Sequence, residues 1–220
     1  MISAPEPALV SAIAALMGAM VAGTIARFIG LRHSSAETRK KRFASLRTWW
    51  MLSIAVSLGL LAGRLGITVL LGAASCIAWF EITKMFGARA ADRPAIRAGY
   101  ALIILNYLVI LTGTPQLFPF FLPITSMFVI AILLLVQGEP KGYIRSAGGL
   151  LWGMLFLGYG VSHAAVLMIL PASSVGPMGP AGWFLFLVIL TETDDIFQAV
   201  VGRLFGSHKR HRISPVISPN

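Results

Sequence analysis

The sequence predicts an all-α protein that crosses a membrane with about seven helices, and three observations carry that reading. Of the 220 residues, 57% are hydrophobic and the mean hydropathy is +0.82, well above the roughly 45–50% apolar content of soluble domains. Apolar windows recur along the whole length, most approaching the run of about 20 helical residues that crosses a hydrocarbon core of about 30 Å. Lys and Arg gather in every second connection, as they do when a chain alternates between two sides of a membrane.

The windows run in order over 8–29, 49–62, 65–80, 98–113, 117–136, 144–170 and 181–201. The first follows a stretch, 1–7, that holds Glu6 and no Lys or Arg. A secretory signal would begin with basic residues, so this reads as an uncleaved first helix. The second, third and fourth windows are short. They either borrow flanking interfacial residues, or the second and third form a hairpin that penetrates incompletely. Trp49 and Trp50 suit an interfacial anchor at the start of the second window. The sixth contains "SAGGLLWGMLFLGYG", whose small residues permit close helix contact. The run "PASSVGPMGPAG" that follows is rich in Pro, Gly and Ser and reads as a connector without regular structure.

Charge fixes the expected orientation. The connection after the first window holds Arg32, Arg39, Lys40, Lys41, Arg42 and Arg47; later alternate connections hold Lys84, Arg89, Arg93 and Arg97, then Lys141 and Arg145, then Arg203, Lys209, Arg210 and Arg212. Arg27 ends the first window on that side, and Arg64 alone falls opposite. The amino terminus is therefore expected outside and the carboxy terminus in the cytoplasm. The net charge of +10 is topology charge between apolar spans, so no nucleic-acid partner is expected. Cys76 lies alone in an apolar run, which excludes a disulfide framework and suggests a packing role. His163 reads as hydrogen-bonded packing, and His208 with His211 as part of the basic tail. A single integral-membrane domain over 1–220 is the expected organisation.

The chemistry concentrates in "TETDDIFQAVVGRLFGSHKR", 191–210. Glu192, Asp194 and Asp195 fall past the midpoint of the seventh window, where an ionised carboxylate costs at least about 2.5 kcal/mol on insertion scales. Helical spacing groups Glu192, Asp195, Gln198 or Ala199, and Gly202 on one side, with Thr191 and Asp194 offset. Clustered carboxylates repel, so a proton or a cation must hold them. Mg²⁺ suits hard oxygen ligands beside phosphate, with Asp195 and Asp194 as its candidate ligands. The cation could instead be a basic side chain of another helix, and carboxylates in a membrane also mark ion pathways. Gly202 and Gly206 allow a tight turn or the close approach of a phosphate, with Arg203 and Lys209 supplying positive charge. No Walker A loop is present.

The run Asp195-x6-Gly202-Arg203-x-Phe205-Gly206-x-His208-Lys209, followed by Ile217-Ser218-Pro219-Asn220, resembles the phosphatidate cytidylyltransferase (CDP-diacylglycerol synthase) family. Its members carry an Asp, then G-[RK]-x-F-G-K-x-K, then [IV]-S-P-x-K-T-x-E-G. Glu192, Asp195 and Gln198 resemble the E-x-N-D-x-x-Q form of a divergent branch, and Glu81 with Lys84 resembles a family helix that ends in Glu before a basic loop. Ser207 stands where the family usually has Lys, and Asp194 where that branch often has Asn. The chain stops inside the second motif, before the family's carboxy-terminal signature, so a fragment is expected.

The resemblance implies transfer of a cytidylyl group from CTP to phosphatidate, giving CDP-diacylglycerol and pyrophosphate, in a bacterial inner membrane. It implies Mg²⁺ as cofactor, with Asp195, Asp194 and Glu192 catalytic. It also implies substrate-phosphate binding by Gly202, Arg203, Gly206, Lys209, Ser218 and Asn220. A homodimer stays open. A small transporter using the carboxylates, or a non-catalytic scaffold, are the readings from other classes.

Overall fold

The computed structural model describes residues 6–30, 32, 36–114, 116–171 and 176–205, apart from the side chains of 38, 41, 203 and 205. Every element among these is helical: α1 (Pro7–Gly30), α2 (Ala36–Leu61), α3 (Gly63–Met85), α4 (Arg93–Thr112), α5 (Phe118–Val136), α6 (Tyr143–Gly153), α7 (Val161–Val166) and α8 (Gly179–Phe205). Helical backbone satisfies its own hydrogen bonds, which lipid cannot do for it. Six helical stretches among the described residues are long and apolar enough to span a bilayer, and the protein is an integral membrane protein of polytopic helical class. The seventh expected span is α8, 27 residues long. It differs from the other six in carrying three acids within its apolar run.

The short second and third windows are resolved in favour of borrowed flanks, since α2 and α3 run to 26 and 23 residues. The link between them is tight: Ala62 leads straight into Gly63, whose φ of +67° falls in the left-handed region that favours glycine. Three residues on, the two helices approach so closely that a methyl on Gly66 would overlap the Gly59 carbonyl oxygen. The sixth span is interrupted. Between α6 and α7 the backbone takes a π-helical course over Met154–Gly160, and a 3₁₀ turn over Leu167–Ile169 closes the span. The connector that follows is shorter than expected, because α8 begins at Gly179.

Two cores hold the bundle. One gathers α3 to α7 around Trp79, fully buried with Ile103, Ile110, Leu122, Ile130 and Met154. Trp79 donates its indole N–H to the Ile96 carbonyl at 3.1 Å, and Gly99 leaves the space its ring fills. Cys76 packs half-buried at the edge of this core, as its setting suggested. The other core joins α1, α2, α3 and the start of α8 through Leu9, Ile13, Leu60, Ile67, Phe184 and Leu185.

Most buried polar side chains among the described residues are paired, Asn106 Oδ1 being left without a partner. The Ser75 and Tyr107 hydroxyls lie 2.9 Å apart, and Asn106 Nδ2 donates to Ser162 Oγ at 2.9 Å. His163 Nδ1 lies 2.9 Å from the Tyr159 carbonyl, with its ring edge-on to Phe118, in keeping with packing. Trp50 donates to Thr24 Oγ1 at 3.0 Å and so ties α2 to α1 near the basic end. At the opposite end Arg64 reaches toward Gly113, where an added Cβ would come within 3.0 Å of Nη1.

Candidate active site on the last helix

The first turns of α8 are buried, with Ala181, Phe184 and Leu185 in the second core. From Ile189 onward the helix leaves the described bundle and nearly every residue is exposed. Glu192 is half-buried, while Asp194 and Asp195 are exposed. The apolar Ile196, Phe197, Val200 and Val201 share this exposure, so the acids belong to a helix segment bare on several sides.

Local hydrogen bonds keep the acids on a regular helix. Thr191 Oγ1 donates to the Leu187 carbonyl and Thr193 Oγ1 to that of Ile189, both at 2.6 Å, which turns each hydroxyl back along the helix. Gln198 Nε2 donates to Asp194 Oδ2 at 2.6 Å. Gln198 thus hydrogen-bonds Asp194 at i,i+4, one residue away from the Asp195 with which spacing grouped it. Asp195 is exposed and makes no hydrogen bond to another described residue.

Gly202 lies inside α8, which continues to Phe205, so the tight-turn alternative is not realised there. A helical glycine costs only about 1 kcal/mol relative to alanine. An added Cβ at Gly202 would meet nothing within 4 Å, which leaves the backbone open to close approach. Arg203 is in the same helix, its side chain outside the described residues, and Gly206, Lys209, Ser218 and Asn220 also lie outside them. Among the described residues no three His, Cys, Asp or Glu side chains converge as metal ligands. Mg²⁺ commonly takes one or two protein carboxylates and completes its shell with water and phosphate. The outward-facing Asp194 and Asp195 fit that donor set.

A second polar cluster is not apparent in the sequence, where only its Arg89 and Lys141 stand out, as topology charge. Asp92, 3% exposed, accepts hydrogen bonds from the Arg89 backbone N–H at 2.8 Å, Arg89 Nε at 3.4 Å, Arg89 Nη2 at 3.0 Å and Ser146 Oγ at 3.0 Å. Arg89 also donates to the Lys141 carbonyl and lies 3.8 Å from Glu139. This knot ties the turn between α3 and α4 to the start of α6. The signal in the sequence was the acid three residues after an arginine and two before Pro94, which sits in the first turn of α4.

The chain matches the cytidylyltransferase family over residues 43–220. It is 30% identical over 174 residues to YnbB, an uncharacterized protein of Escherichia coli strain K12, covering 79% of this chain and 55% of that protein. The chain therefore spans about half the length of the curated relative it matches. No solved structure matches. With most of its length matched, from within α2 through the acidic helix, the chain belongs to the cytidylyltransferase family.

Proposed function

We propose that α8 carries part of the active site of a membrane enzyme that transfers a cytidylyl group from CTP to phosphatidate. The observation that carries this reading is the placement of Asp194 and Asp195, free of the bundle and open to an incoming ligand, seven and eight residues before Gly202-Arg203 on one continuous helix. In the reaction a phosphate oxygen of phosphatidate forms a bond to the α-phosphorus of CTP, and the bond from that phosphorus to the pyrophosphate oxygen breaks.

The chemistry sets what the residues must do. Two polyanions have to be brought together in line, which is a matter of positioning and charge neutralisation. Asp195 and Asp194 would hold Mg²⁺, and Gln198, bonded to Asp194 Oδ2, would fix the rotamer of Asp194. When bound, the ion neutralises phosphate oxygens and the developing charge on the leaving group. Glu192, half-buried one turn earlier, adds negative charge that favours retention of the cation. Arg203 and Lys209 receive substrate phosphates, Gly202 and Gly206 admit them close to the backbone, and Ser218 and Asn220 extend the same anion-binding run.

The membrane setting follows from the lipid substrate, whose headgroup lies where α8 emerges from its apolar part. The basic end of the bundle faces the cytoplasm of a bacterial inner membrane, which supplies CTP. The test is Asp195→Asn in the full natural protein, purified and supplied with CTP, phosphatidate and Mg²⁺. Pyrophosphate release should fall below detection while insertion and elution stay unchanged. Wild-type turnover in that variant would remove Asp195 from the site, and Asp195-dependent ion flux without CTP turnover would replace the reaction with transport.

A further inference from the structure

We propose that the cleft between the α3–α4 turn and the start of α6 binds the phosphate of an anionic phospholipid headgroup, with Arg145 as its main contact. The cleft is a second site, built from elements that do not carry the acids of α8. Its wall holds Arg89, Asp92, Gly142, Arg145 and Ser146, together with Phe86.

The two arginines are not equivalent. Arg89 is committed, held by Asp92, by Glu139 and by the Lys141 carbonyl. Arg145 is exposed, and its contact is one long hydrogen bond from Nη2 to the Phe86 carbonyl at 3.4 Å. Among the described residues no carboxylate lies within ion-pair distance of it. The knot around Asp92 therefore satisfies one guanidinium and leaves the other, in the same cleft, with unspent donors. A guanidinium in that condition presents the planar fork that matches phosphate.

Shape limits the ligand. At about 90 Å³ the cavity admits a phosphate group, whereas pockets for whole small molecules run to about 300 Å³ and above. Gly142, at φ +83°, lets the backbone close on Arg89, since an added Cβ would come within 3.0 Å of its Nη1. Phe86 sits over Gly149 on the other wall, where a Cβ would touch the ring at 3.4 Å.

The setting identifies the source of the phosphate. Met85 and Ile144, the residues immediately before Phe86 and Arg145, are 83% and 85% exposed. Leu135 and Val136, at the end of α5 beside the same connection, are also bare. Long apolar side chains flanking a free guanidinium at the end of membrane helices describe the boundary between acyl chain and headgroup. A lipid there places its phosphate on Arg145 and its chains along Met85 and Ile144, which a free phosphate ion cannot do. Positive charge that serves topology alone needs no such convergence, and Arg93, exposed on the same end but outside the cleft, supplies the comparison.

The experiment uses the 220-residue chain in detergent and follows the anisotropy of a fluorescent phosphatidylglycerol. Competitors are unlabelled phosphatidylglycerol, phosphatidylcholine and inorganic phosphate. Phosphatidylglycerol should displace the probe at concentrations at least about tenfold below phosphatidylcholine, and Arg145→Gln should weaken probe binding about tenfold, as expected for one lost charge-assisted contact. Arg145→Lys, which keeps the charge and loses the fork, should fall between, and Arg93→Gln should bind as wild type. Equal losses in Arg145→Gln and Arg93→Gln would reduce the effect to general surface charge and overturn the site. Displacement by inorganic phosphate as effective as by the lipid would overturn the lipid assignment. Should Arg145→Gln elute aggregated, Arg145→Lys against Arg93→Gln decides the matter, and equal binding by those two refutes the proposal. CTP and turnover play no part, so failure of cytidylyl transfer and failure of this site give separate results.

Discussion

Replacing Asp92 should cost more stability than replacing any acid of α8, although Asp92 is absent from the proposed chemistry. Its carboxylate accepts four hydrogen bonds, three at Oδ2 and one at Oδ1. In Asp92→Asn the amide oxygen can take the Oδ2 position and keep the Arg89 N–H, Arg89 Nε and Ser146 contacts. The amide nitrogen then faces Arg89 Nη2, donor against donor, and the ion pair is gone. A hydrogen bond to a charged group contributes about 1.5–3 kcal/mol. Because the Arg89 side chain keeps 29% of its exposure, water relieves part of the loss, and about 1.5 kcal/mol is the expected cost of Asn. Asp92→Ala removes all four acceptor contacts and leaves Arg89 only Glu139 and the Lys141 carbonyl; breaking a buried pair costs about 3–5 kcal/mol, and these remaining partners with the partial exposure of Arg89 bring the expectation to about 3 kcal/mol. Asp195→Asn, at an exposed position with no hydrogen bond to another described residue, should stay within about 0.5 kcal/mol. Reversible unfolding in mixed micelles, followed by tryptophan fluorescence, would measure all three. Asp92→Asn at least as costly as Asp92→Ala, or both below 0.5 kcal/mol, would refute the account of the knot.

Two further outcomes follow from geometry and charge. Gly99→Ala should destabilise by about 1–3 kcal/mol in the same unfolding assay, because its Cβ would lie 2.5 Å from Cζ2 and 2.8 Å from Nε1 of the fully buried Trp79; a neutral result would mean the indole moves freely. In a background carrying Cys76→Ser, a cysteine placed at Lys141 should resist a membrane-impermeant maleimide added to intact cells, and labelling from the outer face would reverse the proposed orientation.

Most of the fold was legible because bilayer thickness and backbone hydrogen bonding leave a polytopic chain few choices. The first window, 8–29, differs from α1 by one residue at each end. Where apolar content alone marked a boundary, the reading fell short. Helix α2 begins at Ala36 and α4 at Arg93, because charged residues continue a helix beyond the hydrocarbon and the hydropathy pattern cannot register their backbone. The π stretch was invisible for a related reason: its glycines read as close-packing positions, and nothing in composition separates a tight helix contact from a widened turn. At the acids, spacing set Gln198 or Ala199 on the side of Asp195 with Asp194 offset, and spacing alone could not show that Gln198 bonds to Asp194. The knot around Asp92 has a local half, Arg89 three residues before it, but its tie to Ser146 joins residues 54 positions apart, a pairing that no local pattern carries.

The π stretch also bears on how this span tolerates change over generations. Leu150, Met154, Gly158 and Ser162 are buried at intervals of four, and on a regular α-helix each such interval overshoots a full turn by about 40°. The wider turn over Met154–Gly160 lets these steps stay on one face, so Ser162 arrives opposite Asn106 instead of swinging toward lipid. The span therefore carries slack in its reading frame. A single-residue deletion within 154–160 could be taken up by tightening the widened turn into ordinary helix, with Ser162 still close to Asn106. The same deletion in α3 or α4 would rotate everything beyond it by about 100° and expose the buried Trp79 or Ile103 face. Length variation among homologous proteins should accordingly collect at this point of the sixth span before it touches its neighbours.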